Sequence, residues 1–174
     1  MTESRWSGRT ETVIQGQFKV CDTPGVILST VLGSCVAACL YDEHRQIGGM
    51  NHYLLPEGGR GSREMKYGAM AMELLINGLL RAGADRRRLK AKLFGGARIT
   101  RTFDDIGARN ARFAQDFMAM EEIPVVARSL GGDLPRRVHF LPLDGRARVL
   151  LIDRAEEPAI VAPQPMPQAP ITLF

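Results

Sequence analysis

Apolar and polar residues alternate along residues 14–20, IQGQFKV, the pattern of a half-buried strand. Val26–Leu32 is a mostly apolar run rich in β-branched residues and predicts a buried strand. Residues 35–41 and 47–55 flank the polar DEHRQ and read as a hairpin. PEGGRGSRE is a glycine-rich loop, and Ser62 is placed to cap the helix after it. Tyr67, Met70, Leu74 and Leu75 recur at helical spacing before a stop at Gly83, and read as a core-facing stripe rather than a partner surface. Residues 89–94 alternate again, as a strand does. Residues 107–120, with Phe113 and Phe117 four apart, predict a second helix, and residues 123–127 a strand. Residues 137–141 and 146–152 flank Asp144 and Gly145, a strong hairpin signal. Mixed strands around two helices imply an α/β or α+β domain.

A length of 174 residues suits one domain, residues 1–153. Residues 154–174 hold half of all the prolines and read as an extended or disordered tail. No apolar run approaches the roughly 18–20 residues that cross a bilayer, and the polar start MTESRWSGRTE has no signal-peptide core. The expected compartment is the cytoplasm, where thiols stay reduced. Three cysteines make no disulfide framework, and no metal-ligand spacing appears, so neither metal nor cofactor is expected. The net charge is +4, and its densest cluster, RRRLKAK at residues 86–92, lacks interleaved aromatics. It reads as a solvated turn and strand edge, not a nucleic-acid surface.

Within the first hairpin, Cys35 follows Gly33 and Ser34, and His52 lies seventeen residues on. A turn centred between Glu43 and His44 sets Cys35 opposite His52, at the separation where a thiol and an imidazole meet. Such an imidazole takes the thiol proton and leaves an ion pair, and the thiolate attacks an electrophilic carbon. Gly33 permits a tight turn, and the backbone amides around Ser34 face a developing oxyanion. Spacing alone fits two packed residues equally well, since free cysteine commonly behaves as a small buried hydrophobe, as Cys21 and Cys39 are expected to do.

The longer stretch is more specific. TVLGSCVAACLYD followed by IGGMNHYLLP resembles the chemoreceptor glutamine deamidase family, CheD. KYGAMAMELLINGLLRAGA, KLFGGAR, IGARN and GGDLPRRVHFLPLDGRARV resemble further family motifs in the family's order, over residues 13–152. The resemblance implies hydrolysis of glutamine side-chain amides on the helical cytoplasmic domains of bacterial chemoreceptors. It implies a layered α/β/β/α fold like that of toxin-type cysteine deamidases, Cys35 as nucleophile and His52 as base. The third catalytic residue is an upstream hydroxyl, which falls on Ser29 or Thr30. Some family members also bind the phosphatase CheC. Two rivals stand beside this reading: a binding module for CheC or receptors in which the cysteine is idle, and a cysteine hydrolase with another target.

Overall fold

The structure is a computed structural model and describes residues 6–56, 62–101, 103–153 and 171–174. Among the described residues, ten strands form two five-stranded sheets. The first orders β1 (Arg9–Thr12), β3 (Val26–Leu32), β8 (Arg136–Phe140), β9 (Ala147–Leu151) and β10 (Ile171–Leu173). The second orders β2 (Phe18–Cys21), β5 (Ile47–Asn51), β4 (Val36–Asp42), β6 (Lys90–Gly95) and β7 (Val125–Leu130). Helix α1 (Ser62–Arg81) packs on β2, β4 and β5, and helix α2 (Ile106–Met120) on β4, β6 and β7. The class is α+β, as expected. Both described helices lie on the second sheet, so the layers run helices, sheet, sheet; among the described residues no helix covers the first sheet's outer face, where the α/β/β/α expectation put one.

β4 is buried throughout and its two faces make two cores. Val36, Ala38 and Leu40 meet Met72, Leu75, Leu79, Phe113 and Phe117 from the helices. Ala37, Cys39 and Tyr41 meet Leu28, Leu32, Val138 and Phe140 from the first sheet. Each large side chain buried this way contributes about 1.5–3 kcal/mol. The period-two alternation of β4 thus decides which layer every neighbour of Cys35 faces.

Several expectations need correction. The hairpin pairs Asp42 with Ile47 and Cys39 with Met50, and a further bridge joins Val36 to Tyr53. Its turn is residues 43–46, so the register is shifted by two from the one expected, and Cys35 is not directly opposite His52. The cause is Asp42, whose carboxylate accepts the amides of His44 and Arg45, with Gln46 in the left-handed region at φ 55°. Residues 14–20 are a strand only from Phe18; the part before it is a loop. β1 has no apolar signature and pairs in parallel with β3. On α1 the core stripe is Met72, Leu75, Ile76 and Leu79, whereas Met70 and Leu74 are exposed. Of the expected stripe, Leu75 lies in the core and Tyr67 packs against it, so the helix faces the core as expected with its stripe turned away from Met70 and Leu74. The Ser62 side chain and the loop at residues 57–61 lie outside the described residues. α2 is capped by Asp105, which accepts the Ala108 amide at 3.0 Å.

The Asp144–Gly145 turn closes β8 on β9 as expected. In the basic cluster, Arg87 pairs with Asp85, Arg86 with Glu121 and Lys90 with Glu43, as a solvated turn requires. At the end of the chain, β10 pairs with β9, and Phe174 packs edge-on against Phe94. No described helix is long and apolar enough to cross a membrane.

Candidate active site

Alternation along β3 points Leu28, Thr30 and Leu32 at the second sheet and leaves Ser29 on the other face, beside His139 of β8. Thr30 meets His52, its Oγ1 lying 2.8 Å from His52 Nδ1. Ser29 makes no hydrogen bond to His52; its carbonyl instead accepts the Val13 amide at 2.8 Å. The structure therefore brings Thr30 to the imidazole and separates Ser29 from it.

The hydrogen bonds fix the tautomer. The Val13 carbonyl lies 2.7 Å from Thr30 Oγ1 and 3.2 Å from His52 Nδ1. A carbonyl only accepts, so the Thr30 hydroxyl proton points at Val13 and Nδ1 carries a hydrogen. Nδ1–H donates to Thr30 Oγ1 and Val13 O, and Nε2 keeps its lone pair. That Nε2 is buried and has no hydrogen-bond partner among the described residues. A buried polar atom without a partner is costly in a fold unless it serves another purpose.

Cys35 sits where the main chain turns from β3 into β4, on the inter-sheet side. Every carbonyl of that turn is tied down: Gly33 O accepts from Ala97, Cys35 O from Gly96, and Ser34 O from the Asn110 side chain at 2.8 Å. The amides of Ser34 and Cys35 take no backbone acceptor among the described residues. The turn thus presents donors and withholds acceptors, as an oxyanion site does. Gly95, at φ 112°, makes this possible, because a Cβ there would lie 2.1 Å from the Cys35 carbonyl oxygen.

The thiol does not bond to His52. It donates to Gln15 Oε1 at 3.5 Å. Burial pushes the Cys35 thiol above its ordinary value and pushes the His52 imidazole below its own, the latter partly offset by the Val13 carbonyl. Both directions favour a neutral thiol and a neutral imidazole. Neither direction favours the ion pair expected from sequence. Cys39, fully buried, is pushed much further up and is inert packing, while the partly exposed Cys21 bonds within its own turn, to Thr23.

Two residues of the site escaped the sequence reading. Asn110 is fully buried in α2; its amide holds Ser34 O, and its Oδ1 accepts the Leu55 amide at 3.0 Å. It ties the Cys35 turn to the segment following His52, and the Tyr53 hydroxyl donates to its carbonyl. The available signal was a polar residue on the buried stripe Gly107, Asn110, Ala114, Phe117. Gln15 was the second, hidden within an apparent strand.

The family model for CheD chemotactic sensory transduction matches residues 54–150, more than half of the chain and starting just past His52. Curated relatives extend the similarity over the rest. The probable chemoreceptor glutamine deamidase CheD of Rhizobium leguminosarum bv. trifolii is 49% identical over 98% of this chain and 94% of its own. Its counterpart in Acidiphilium cryptum is 51% identical over 88% and 83%, and that of Caulobacter vibrioides (strain NA1000 / CB15N) 49% over 89% and 86%. A match of this identity across nearly whole chains, on a fold that joins a cysteine turn to a hydroxyl-bound histidine, leaves one conclusion: the chain belongs to the CheD family.

Proposed function

We propose that the protein hydrolyses the side-chain amide of glutamines on bacterial chemoreceptors, giving glutamate and ammonia, with Cys35 as nucleophile, His52 as general base and Thr30 as the residue that orients the base. One observation carries the reading: Nδ1 of His52 is engaged by Thr30 and Val13, so Nε2, which has no partner among the described residues, is the basic atom of the ring.

The chemistry follows from the neutral resting pair. As a glutamine amide carbon approaches Sγ, the thiol proton passes to Nε2 and the S–C bond forms. The carbonyl electrons move onto oxygen, which meets the Ser34 and Cys35 amides beside Gly33. The C–N bond then breaks, and ammonia leaves with the proton that His52 returns. Water, deprotonated by His52, hydrolyses the thioester and restores the thiol. Both half-reactions need one imidazole face held fixed, which is what Thr30 and Val13 provide.

The surface beside His52 supports a helical substrate. Phe18, Tyr67, Met70 and Leu74 line a cleft that reaches His52, and Phe18, Met70 and Leu74 are substantially exposed. An apolar rim next to a reactive pair suits a receptor helix that presents a glutamine with apolar neighbours one turn away. CheC is a proposed second partner, and the proposed compartment is the cytoplasm, where Cys35 stays reduced. The test is intact-mass and ammonia analysis of receptor cytoplasmic fragments incubated with the protein. A stepwise gain matching amide-to-acid conversion is expected; receptor binding without any mass change would leave a binding module and sink the enzyme reading.

A further inference from the structure

We propose that the side-chain carboxamide of Gln15 is an oxyanion donor of this site, a catalytic residue beyond the cysteine, the histidine and the hydroxyl. The proposal rests on Cys35 being the nucleophile.

The placement of Gln15 is built, not incidental. Its loop is fastened to His52 and Thr30 on both sides. Before it, Val13 is fully buried and its carbonyl accepts from Thr30 and His52. After it, Gly16 donates to the His52 carbonyl at 2.8 Å, and His52 donates to the Gln17 carbonyl at 3.0 Å. The segment is therefore indexed to the imidazole itself, and Gln15 projects from it onto Sγ at 3.5 Å. Among the described residues it is the only side chain in hydrogen-bond contact with the sulfur.

In the resting state the carboxamide oxygen accepts the thiol proton. When that proton leaves for His52, the same oxygen faces a sulfur anion, which is unfavourable. The terminal torsion of a glutamine is broad and two-fold, and Gln15 is exposed, so its amide can turn. Turned, it offers an N–H toward the space just beyond Sγ. An acyl group bonded to Sγ puts its oxygen there as the tetrahedral centre forms: the S–C bond is made, the carbonyl pair moves to oxygen, and the leaving group departs when that pair returns. The Ser34 and Cys35 amides approach from the turn; Gln15 approaches from the loop. A donor on each side is the arrangement that holds an oxyanion without reorganising the main chain.

The experiment separates this role from any effect on the thiol. Acylation of Cys35 by p-nitrophenyl acetate passes through an oxyanion and releases p-nitrophenolate. Alkylation of Cys35 by iodoacetamide displaces iodide at a saturated carbon and forms none. Gln15→Ala and Gln15→Met, both at an exposed position, should slow acylation by roughly 10²-fold while alkylation stays within about twofold of the wild type. Acylation at the wild-type rate in both variants overturns the proposal, and so does an equal fall in both reactions, which would mean that Gln15 only places the sulfur. A wild type that is not acylated at Cys35 overturns it as well. Ammonia release from receptor fragments is measured in parallel: a wild type that is acylated yet releases none overturns the receptor assignment and leaves Gln15 as assigned.

Discussion

The two ends of the β4–β5 hairpin treat buried polar atoms in opposite ways. At the turn, Asp42 is fully buried and both its carboxylate oxygens are engaged: Oδ1 accepts the amides of His44 and Arg45, each at 3.1 Å, and Oδ2 accepts the Asp85 amide at 2.8 Å. At the other end His52 is almost as buried, yet one ring nitrogen is held twice and the other has no partner among the described residues. The saturated end locks the hairpin to the loop after α1. The unsaturated end leaves open the lone pair that the proposed mechanism uses as its base. On the proposed mechanism, stability and reactivity fall at opposite ends of one small element, and the difference between them is a single hydrogen bond.

Substitutions can break each end separately. The largest effect is expected from Cys35→Ala, which should abolish ammonia release while moving the unfolding midpoint little, since the side chain is only partly buried. The control is Cys39→Ala, four residues along the same face. It should keep its turnover and cost about 1 kcal/mol from lost apolar burial, read by denaturant unfolding. Activity in the first variant, or loss of it in the second, would put the nucleophile elsewhere.

Next in size is the hydroxyl. Thr30→Val should lower kcat about 10- to 100-fold, part of what a general base supplies, with KM unchanged. Ser29→Ala should leave kcat as it was. The pH profile sharpens the comparison. Burial disfavours the imidazolium, so the neutral base persists to lower pH than in a free histidine. The acid limb of kcat/KM in the wild type should therefore fall below 6.5, the ordinary imidazole value. A limb above 6.5 would mean that a nearby anion, not burial, governs His52. The smallest catalytic effect is expected at the saturated end. Asp42→Asn faces its new amide toward the Asp85 N–H and should cost about 1–3 kcal/mol of stability, with kcat per folded molecule unchanged.

How much of this was legible beforehand depended on the range of the interaction. Alternation along Val26–Leu32 already set Ser29 and Thr30 on opposite faces; choosing between them needed to know which face meets the other sheet. The hairpin was plain from DEHRQ, but its register was not. A four-residue turn held by a buried Asp42 carboxylate differs from a tighter one only through the amides that the carboxylate collects. That slip of two residues kept Cys35 and His52 on one face and changed their contact. Gln15 was hidden by its neighbours, since IQGQFKV alternates as a strand does, while Gly16, at φ 86°, turns the chain and gives its hydrogen bond to His52 instead. Asn110 acts on Ser34 across 76 positions of sequence, a separation no local pattern reports.

The close approach of Gly95 to the Cys35 carbonyl bears on how a mutational map of this protein would look. Any side chain at position 95 meets both a backbone oxygen at 2.1 Å and a φ of 112°, so substitution there is excluded twice over. Gly107, where a Cβ would lie 2.3 Å from the Ala97 carbonyl oxygen, extends the same constraint into the start of α2. Neither residue has a side chain to react. In a library selected for activity, the deepest intolerance would trace the floor beneath the cysteine as sharply as the cysteine itself, and an intolerant position would mark architecture at least as often as chemistry.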